Sequence, residues 1–228
     1  MKSLLKKYGQ AWTLLYFFIY LPWFLWLEQR TTEVTIISSR IDAYIPFCEY
    51  FAIPYFLWFI YVPLVTLFVL FIGTKEDFYK HSAMLFIGMT VCLVIYTLWP
   101  NAQLLRVAID TDKNIFTQAI AHLYQTDTST NVCPSIHVYN SLVCHTALLK
   151  NAIIRDKKHI RFLSLILMIA ICISTLFLNQ HSIVDVVASL ALFLIMYTFV
   201  YSKILIKTYK FLKNSVSEYS DSSSGSSR

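Results

Sequence analysis

Charge is what this sequence has least of. Only 14% of its 228 residues are Asp, Glu, Lys or Arg, whereas a soluble domain of that length carries about 25%. The other side of that shortage is 57% hydrophobic and 16% aromatic residues, with a mean hydropathy of +0.58. A water-exposed globular surface is thereby excluded. Paired cysteines are lacking too. The five cysteines (48, 92, 133, 144, 172) form no CxxC and no zinc-like spacing with histidine. Cys92, Cys144 and Cys172 fall in apolar runs and read as packing residues. Cys48 and Cys133 fall in polar segments and are the one pair a disulfide could join. No small-residue cleavage site follows the first apolar run, so residues 11–27 read as a retained span rather than a signal peptide.

What is present is a series of apolar runs near 20 residues long. They predict an all-α, six-helix transmembrane bundle with spans at about 11–27, 50–72, 82–99, 135–154, 161–178 and 182–206. Residues 28–49 and 100–132 are polar segments, and 114–124 has the pattern of a short amphipathic helix. Residues 73–81 and 155–159 are short charged turns. The six-span domain takes up residues 1–213, and 214–228 is a Ser-rich tail expected to be disordered.

The net charge of +6 belongs to membrane anchoring rather than to nucleic-acid binding. With both termini cytoplasmic, 15 of the 19 lysines and arginines fall in inside segments. Arg30, Arg40, Arg106 and Lys113 remain outside. That orientation places three separate stretches at one face: Arg106, Pro134-Ser135-Ile136-His137, and Gln180-His181-Ser182-Ile183-Val184-Asp185. The orientation does not depend on any of them.

His181 and Asp185 stand four apart, on one face of a helix. A carboxylate there fixes the imidazole tautomer and stabilises the imidazolium, which makes His181 a usable nucleophile or base. Ionisable groups at the end of a membrane span are costly to keep and point to function. With His137, Ser135 and Arg106 the set suggests phosphoryl transfer. His181 attacks phosphorus, Asp185 holds it, and His137 protonates the leaving oxygen. Arg106 offers a planar fork to phosphate oxygens. Ser135 lies in the first turn of a helix opened by Pro134, where free N–H groups bind anions. This chemistry calls for no metal and no other cofactor.

These motifs resemble those of the type 2 phosphatidic acid phosphatase superfamily, which are Lys-x6-Arg-Pro, Pro-Ser-Gly-His and Ser-Arg-x5-His-x3-Asp. The second stands here as Pro134-Ser135-Ile136-His137 and the third as Ser174-Thr175-x5-His181-x3-Asp185. Of the first only Arg106 survives. No lysine stands in Pro100-Asn101-Ala102-Gln103-Leu104-Leu105, and Val107 follows in place of proline. Thr175 replaces the third motif's arginine, so two phosphate-binding cations are missing, and Lys113 is one residue that could compensate. The pattern is similar to the branch related to inositol phosphorylceramide synthases.

The resemblance implies a lipid phosphate phosphatase that works through a phosphohistidine. Its substrate class would be phosphatidic acid, lysophosphatidic acid, phosphatidylglycerol phosphate or a polyprenyl phosphate. The partners would be that lipid and the membrane, with no nucleic acid, and no motif specifies an oligomeric state. The same residues would also serve a head-group phosphotransferase; a non-catalytic transporter would more often hold its polar groups at mid-span. Small size and minimal loops point to a bacterial plasma membrane, with the site facing outward.

Overall fold

The computed structural model describes residues 8–202. Lys2, Lys6 and Lys7, the basic stretch after residue 202 and the Ser-rich tail lie outside the described residues. Within them the chain forms helices α1 (Gly9–Gln29), α2 (Glu49–Ile72), α3 (Lys75–Leu98), α4 (Ile115–Thr126), α5 (Ile136–Lys150), α6 (Lys158–Phe177) and α7 (Ile183–Tyr201).

Five of these helices, α1, α2, α3, α6 and α7, are long and apolar enough to cross a membrane. The expected span at 135–154 departs from that pattern. As α5 it has 15 residues, or about 22 Å at the α-helical rise, against roughly 30 Å of hydrocarbon. It is also rich in polar groups, and eleven of its residues are buried. The bundle explains both features, because α5 packs against α2, α6 and α7 and is largely shielded from lipid. A helix shielded in this way needs neither full length nor an apolar circumference.

The third span also begins earlier than its apolar run. Thr74 accepts from the Asp77 N–H at 3.1 Å while the Asp77 carboxylate accepts from the Thr74 N–H at 3.2 Å, a reciprocal cap that starts α3 at Lys75. The expected charged turn at 73–81 is thus mostly helix. Within α3, Ala83–Ile87 winds as a π-turn. The Met84 carbonyl there accepts from Tyr139 Oη at 2.6 Å, and Gly88 lies against the same ring. A Cβ on Gly88 would come within 2.1 Å of that phenol.

α1 docks on α3 through its polar ends. Arg30 donates to the Tyr96 and Thr97 carbonyls at 3.1 Å each, and Trp23 Nε1 donates to Thr97 Oγ1 at 3.0 Å. At that end of the bundle, strands β1 (Thr35–Ile36) and β2 (Asn101–Ala102) pair in parallel. The connection 100–132 folds back over the helix ends. Asn101, fully buried, donates to the Trp99 and Cys133 carbonyls and accepts from the Val132 and Cys133 N–H groups. The amphipathic helix expected within this connection is α4; Ile120 and Leu123 on its buried face pack with Ala52, Tyr55 and Leu178. All five cysteines are free. Burial and the neighbouring Asp185 charge push the Cys133 thiol up to about 12.

Candidate active site

α7 begins at a cap that also orients the histidine before it. Ser182 Oγ accepts from the Val184 N–H, and Asp185 Oδ2 accepts from the Ser182 N–H at 2.9 Å. The same Oδ2 lies 3.2 Å from His181 Nδ1. A carboxylate facing Nδ1 selects the tautomer with the proton there, which leaves the Nε2 lone pair available. Asp185 is fully buried and His181 is 7% exposed, so the pair lies inside the protein. Asp42 completes the arrangement. Its carboxylate accepts from Ser182 Oγ at 2.6 Å and from the Ile183 N–H at 2.9 Å. A negative charge at that helix start is favourable both as a cap and with the helix dipole. Sequence reasoning missed Asp42, because its partner lies 140 positions away and no local pattern links them.

His137, in the first turn of α5, comes to the same place. Its ring centroid is 5.8 Å from that of His181. Trp58 and Tyr55 of α2 flank it at 4.3 and 4.7 Å between centroids. His137 Nε2 is buried and has no hydrogen-bond partner among the described residues.

Both histidines line one cavity of about 450 Å³. Its walls are mostly apolar and aromatic, drawn from α1 (Phe17, Leu21), α2 (Phe59, Pro63) and α3 (Leu85, Met89). Leu21 and Phe59, on two different helices, are also among the exposed hydrophobic residues. At its polar end four buried atoms have no hydrogen-bond partner among the described residues: Trp58 Nε1, His137 Nε2, Asn140 Oδ1 and Gln180 Nε2. Unmatched buried polar groups are rare and costly, and all four belong to residues of this cavity's wall. Glu28 and Asp127 also line it, whereas no lysine or arginine among the described residues does. Glu28 is held by Thr128 and Asn131. Burial, followed by the Glu28 charge, raises the Asp127 carboxyl above its ordinary value. A second cavity of about 270 Å³, lined by Asp42, Leu105 and Asn179 among others, also reaches His181.

The remaining predicted site residues lie behind this wall. Arg106 donates through Nη1 to the Tyr124 carbonyl at 2.9 Å. Its Nη2 donates to the carbonyls of Asp127 at 2.6 Å and Thr128 at 2.8 Å, and to Gln180 Oε1 at 2.8 Å. Its guanidinium lies 4.5 Å over the Tyr124 ring, and it lines neither cavity. Ser135 is fully buried as the cap of α5, accepting from the Val138 N–H, with its carbonyl accepting from Ser189 Oγ at 3.0 Å. Pro134 therefore precedes the cap and does not open the helix. Thr175, in the position of the missing arginine, is fully buried and donates to the Cys172 carbonyl. Lys113 pairs with Glu49 at 2.5 Å and is likewise absent from the cavity wall.

Fold and site together define a helical integral membrane protein with a His–His–Asp cluster at the polar end of an apolar cavity. The model of the PAP2 superfamily matches residues 23–199, and the chain belongs to that superfamily. No curated protein and no solved structure matches it. The superfamily's activities, phosphatase and phosphotransferase, make an enzyme acting on phosphoric esters the coarse functional assignment.

Proposed function

We propose that the protein is a lipid phosphate phosphatase that works through a phosphohistidine on His181. The observation that carries this reading is one cavity of about 450 Å³ lined by both histidines and otherwise mostly by apolar and aromatic side chains. His181 Nε2 attacks phosphorus, forming the P–N bond as the P–O bond to the leaving oxygen breaks. His137 supplies the proton that oxygen needs and then takes one from an incoming water. That water attacks phosphorus, the P–N bond breaks, and phosphate leaves. Asp185 stabilises the positive charge on the His181 ring during attack. Arg106 and Ser135 support the site from behind by fixing the segments that carry Gln180 and His137. The lipid head group lies at the outer face, where the positive-inside distribution puts this end of the bundle.

A second reading is favoured by one feature. Carboxylates line the cavity and, among the described residues, cations do not, which suits a phosphodiester with one negative charge better than a phosphomonoester with two. With a diester donor and an alcohol in place of water, the same residues would transfer a head group, as the inositol phosphorylceramide synthase-like motif pattern suggests. A panel of lipid phosphates and phosphodiesters, offered to the purified protein in detergent with EDTA, separates the two. Phosphate release that survives EDTA and vanishes in His181→Ala supports the phosphatase. A new head-group lipid formed only with an added alcohol supports the transferase. Silence in both assays overturns both.

A further inference from the structure

Among the described residues the wall of the cavity holds no lysine or arginine, so the lipid phosphate needs another donor beside His181. Gln180, in the same wall as His181, carries an amide donor that has no acceptor among the described residues. It is 3% exposed and lines the cavity together with His181, its neighbour in sequence. The orientation of its amide follows from chemistry. Arg106 Nη2, which can only donate, lies 2.8 Å from one amide atom, so that atom is Oε1 and the other is the NH₂ group. That Nε2 is buried with no partner among the described residues.

The residue is held at both ends. The Gln180 and His181 N–H groups donate to one carbonyl, that of Thr175, at 3.0 and 3.1 Å. Gln103 Nε2 donates to the Asn179 carbonyl at 2.9 Å, and Asn179 Nδ2 donates to the Leu105 carbonyl at 2.8 Å. A buried N–H fixed in place and left without an acceptor costs stability in the empty protein and favours an anionic oxygen when one arrives.

We infer that Gln180 is a phosphate-binding residue whose Nε2 donates to a non-bridging oxygen of the phosphate that His181 attacks, and that Arg106 is the positioning residue that holds it there. The inference rests on the phosphoryl-transfer reading above. It makes a neutral amide, with a guanidinium behind it, take the place of the direct cations that the sequence lacks.

The test is equilibrium binding of dioctanoyl phosphatidic acid to the full chain in detergent, carried out on the His181→Ala background to prevent turnover. Gln180→Glu keeps the acceptor for Arg106 and replaces the donor with a carboxylate. Affinity should fall about 10- to 100-fold at neutral pH, the worth of a hydrogen bond to a charged group. The deficit relative to the parent should shrink at about pH 5, where the introduced carboxyl begins to take up a proton and can donate again. Arg106→Lys should weaken binding as well, and should add little once Gln180→Glu is present. Should Gln180→Glu not fold, Gln180→Met, of similar length, gives the same reading at neutral pH.

Equal affinity in parent and variant at both pH values overturns the inference, and so does a parent that binds no lipid phosphate. The two levels separate cleanly. Turnover by the otherwise native chain with unchanged binding in the Gln180 variant removes Gln180 and keeps the enzyme. Binding that depends on Gln180 without turnover of any lipid keeps Gln180 and removes the phosphatase.

Discussion

The bundle contains two pairs of inward-facing histidines, one towards each end. Towards the end where α2 meets α3, His81 Nε2 lies 3.0 Å from Thr66 Oγ1, and His145 Nδ1 lies 2.9 Å from Ser164 Oγ, which also meets Tyr61 Oη at 2.7 Å. At the other end are His137 and His181. Both pairs are drawn into the protein, and His81 also keeps one buried nitrogen unpaired among the described residues. The surroundings differ. The first pair leans on hydroxyls and lines neither of the two cavities, while the second has a carboxylate and a 450 Å³ space in front of it. Burial alone therefore does not mark a reactive imidazole. What sets the second pair apart is a carboxylate that selects one tautomer and an adjoining cavity.

That contrast can be broken most forcefully at His181. His181→Ala should abolish turnover, and Asp185→Asn should lower it by about 10⁴-fold, the cost seen when an imidazole loses its orienting carboxylate in a hydrolase. A kcat measurement on the lipid phosphate that the panel selects checks both. His137→Gln should lower kcat by about 10²- to 10⁴-fold, the usual range for a general acid. The loss should be smaller for substrates whose leaving oxygen needs no proton, and a leaving-group series reads that out. At the other pair, His145→Leu should leave kcat unchanged while costing about 1–3 kcal/mol of stability, because Ser164 loses a partner in a buried site. A melting curve beside the activity assay separates the two effects. Gly88→Ala sharpens the same distinction away from any histidine. The Tyr139 phenol blocks the new methyl, so a loss of about 1–3 kcal/mol is expected from overpacking. Activity per folded molecule should persist, since the disturbance lies in the α3–α5 packing.

How far the sequence could be read follows from what each feature depends on. The lipid-crossing helices were legible, because lipid forces an apolar circumference and a length that composition reveals directly. α5 was legible only as a span, since its shortness and polarity are permitted by neighbours that no window along the chain can show. The early start of α3 had a local signal, Thr74 followed three residues later by Asp77, but the charges around it read as a turn. His137, His181 and Asp185 were legible as types and spacings, and the structure brings their side chains together.

Arg106 was legible as a cation, while its commitment to carbonyls was not. That commitment depends on where the 124–128 backbone folds, eighteen or more positions away. Gln180 had no signal beyond its place beside His181. The role inferred for it depends on an amide turned by one long-range contact, and such contacts leave no periodic trace. Asp42 belongs with it, as a carboxylate in a polar stretch whose role exists only once α7 arrives above it.

The most direct test of the account is to trap the intermediate. The purified chain is mixed with a labelled lipid phosphate and quenched at high pH, where a phosphohistidine survives, and the adduct is mapped by mass spectrometry. A stoichiometric, acid-labile phosphoryl or head-group phosphoryl adduct on the peptide carrying His181, absent from His181→Ala and diminished in Asp185→Asn, is the predicted result. Turnover that proceeds with no adduct, or with an adduct on any other residue, would contradict the central role given to His181.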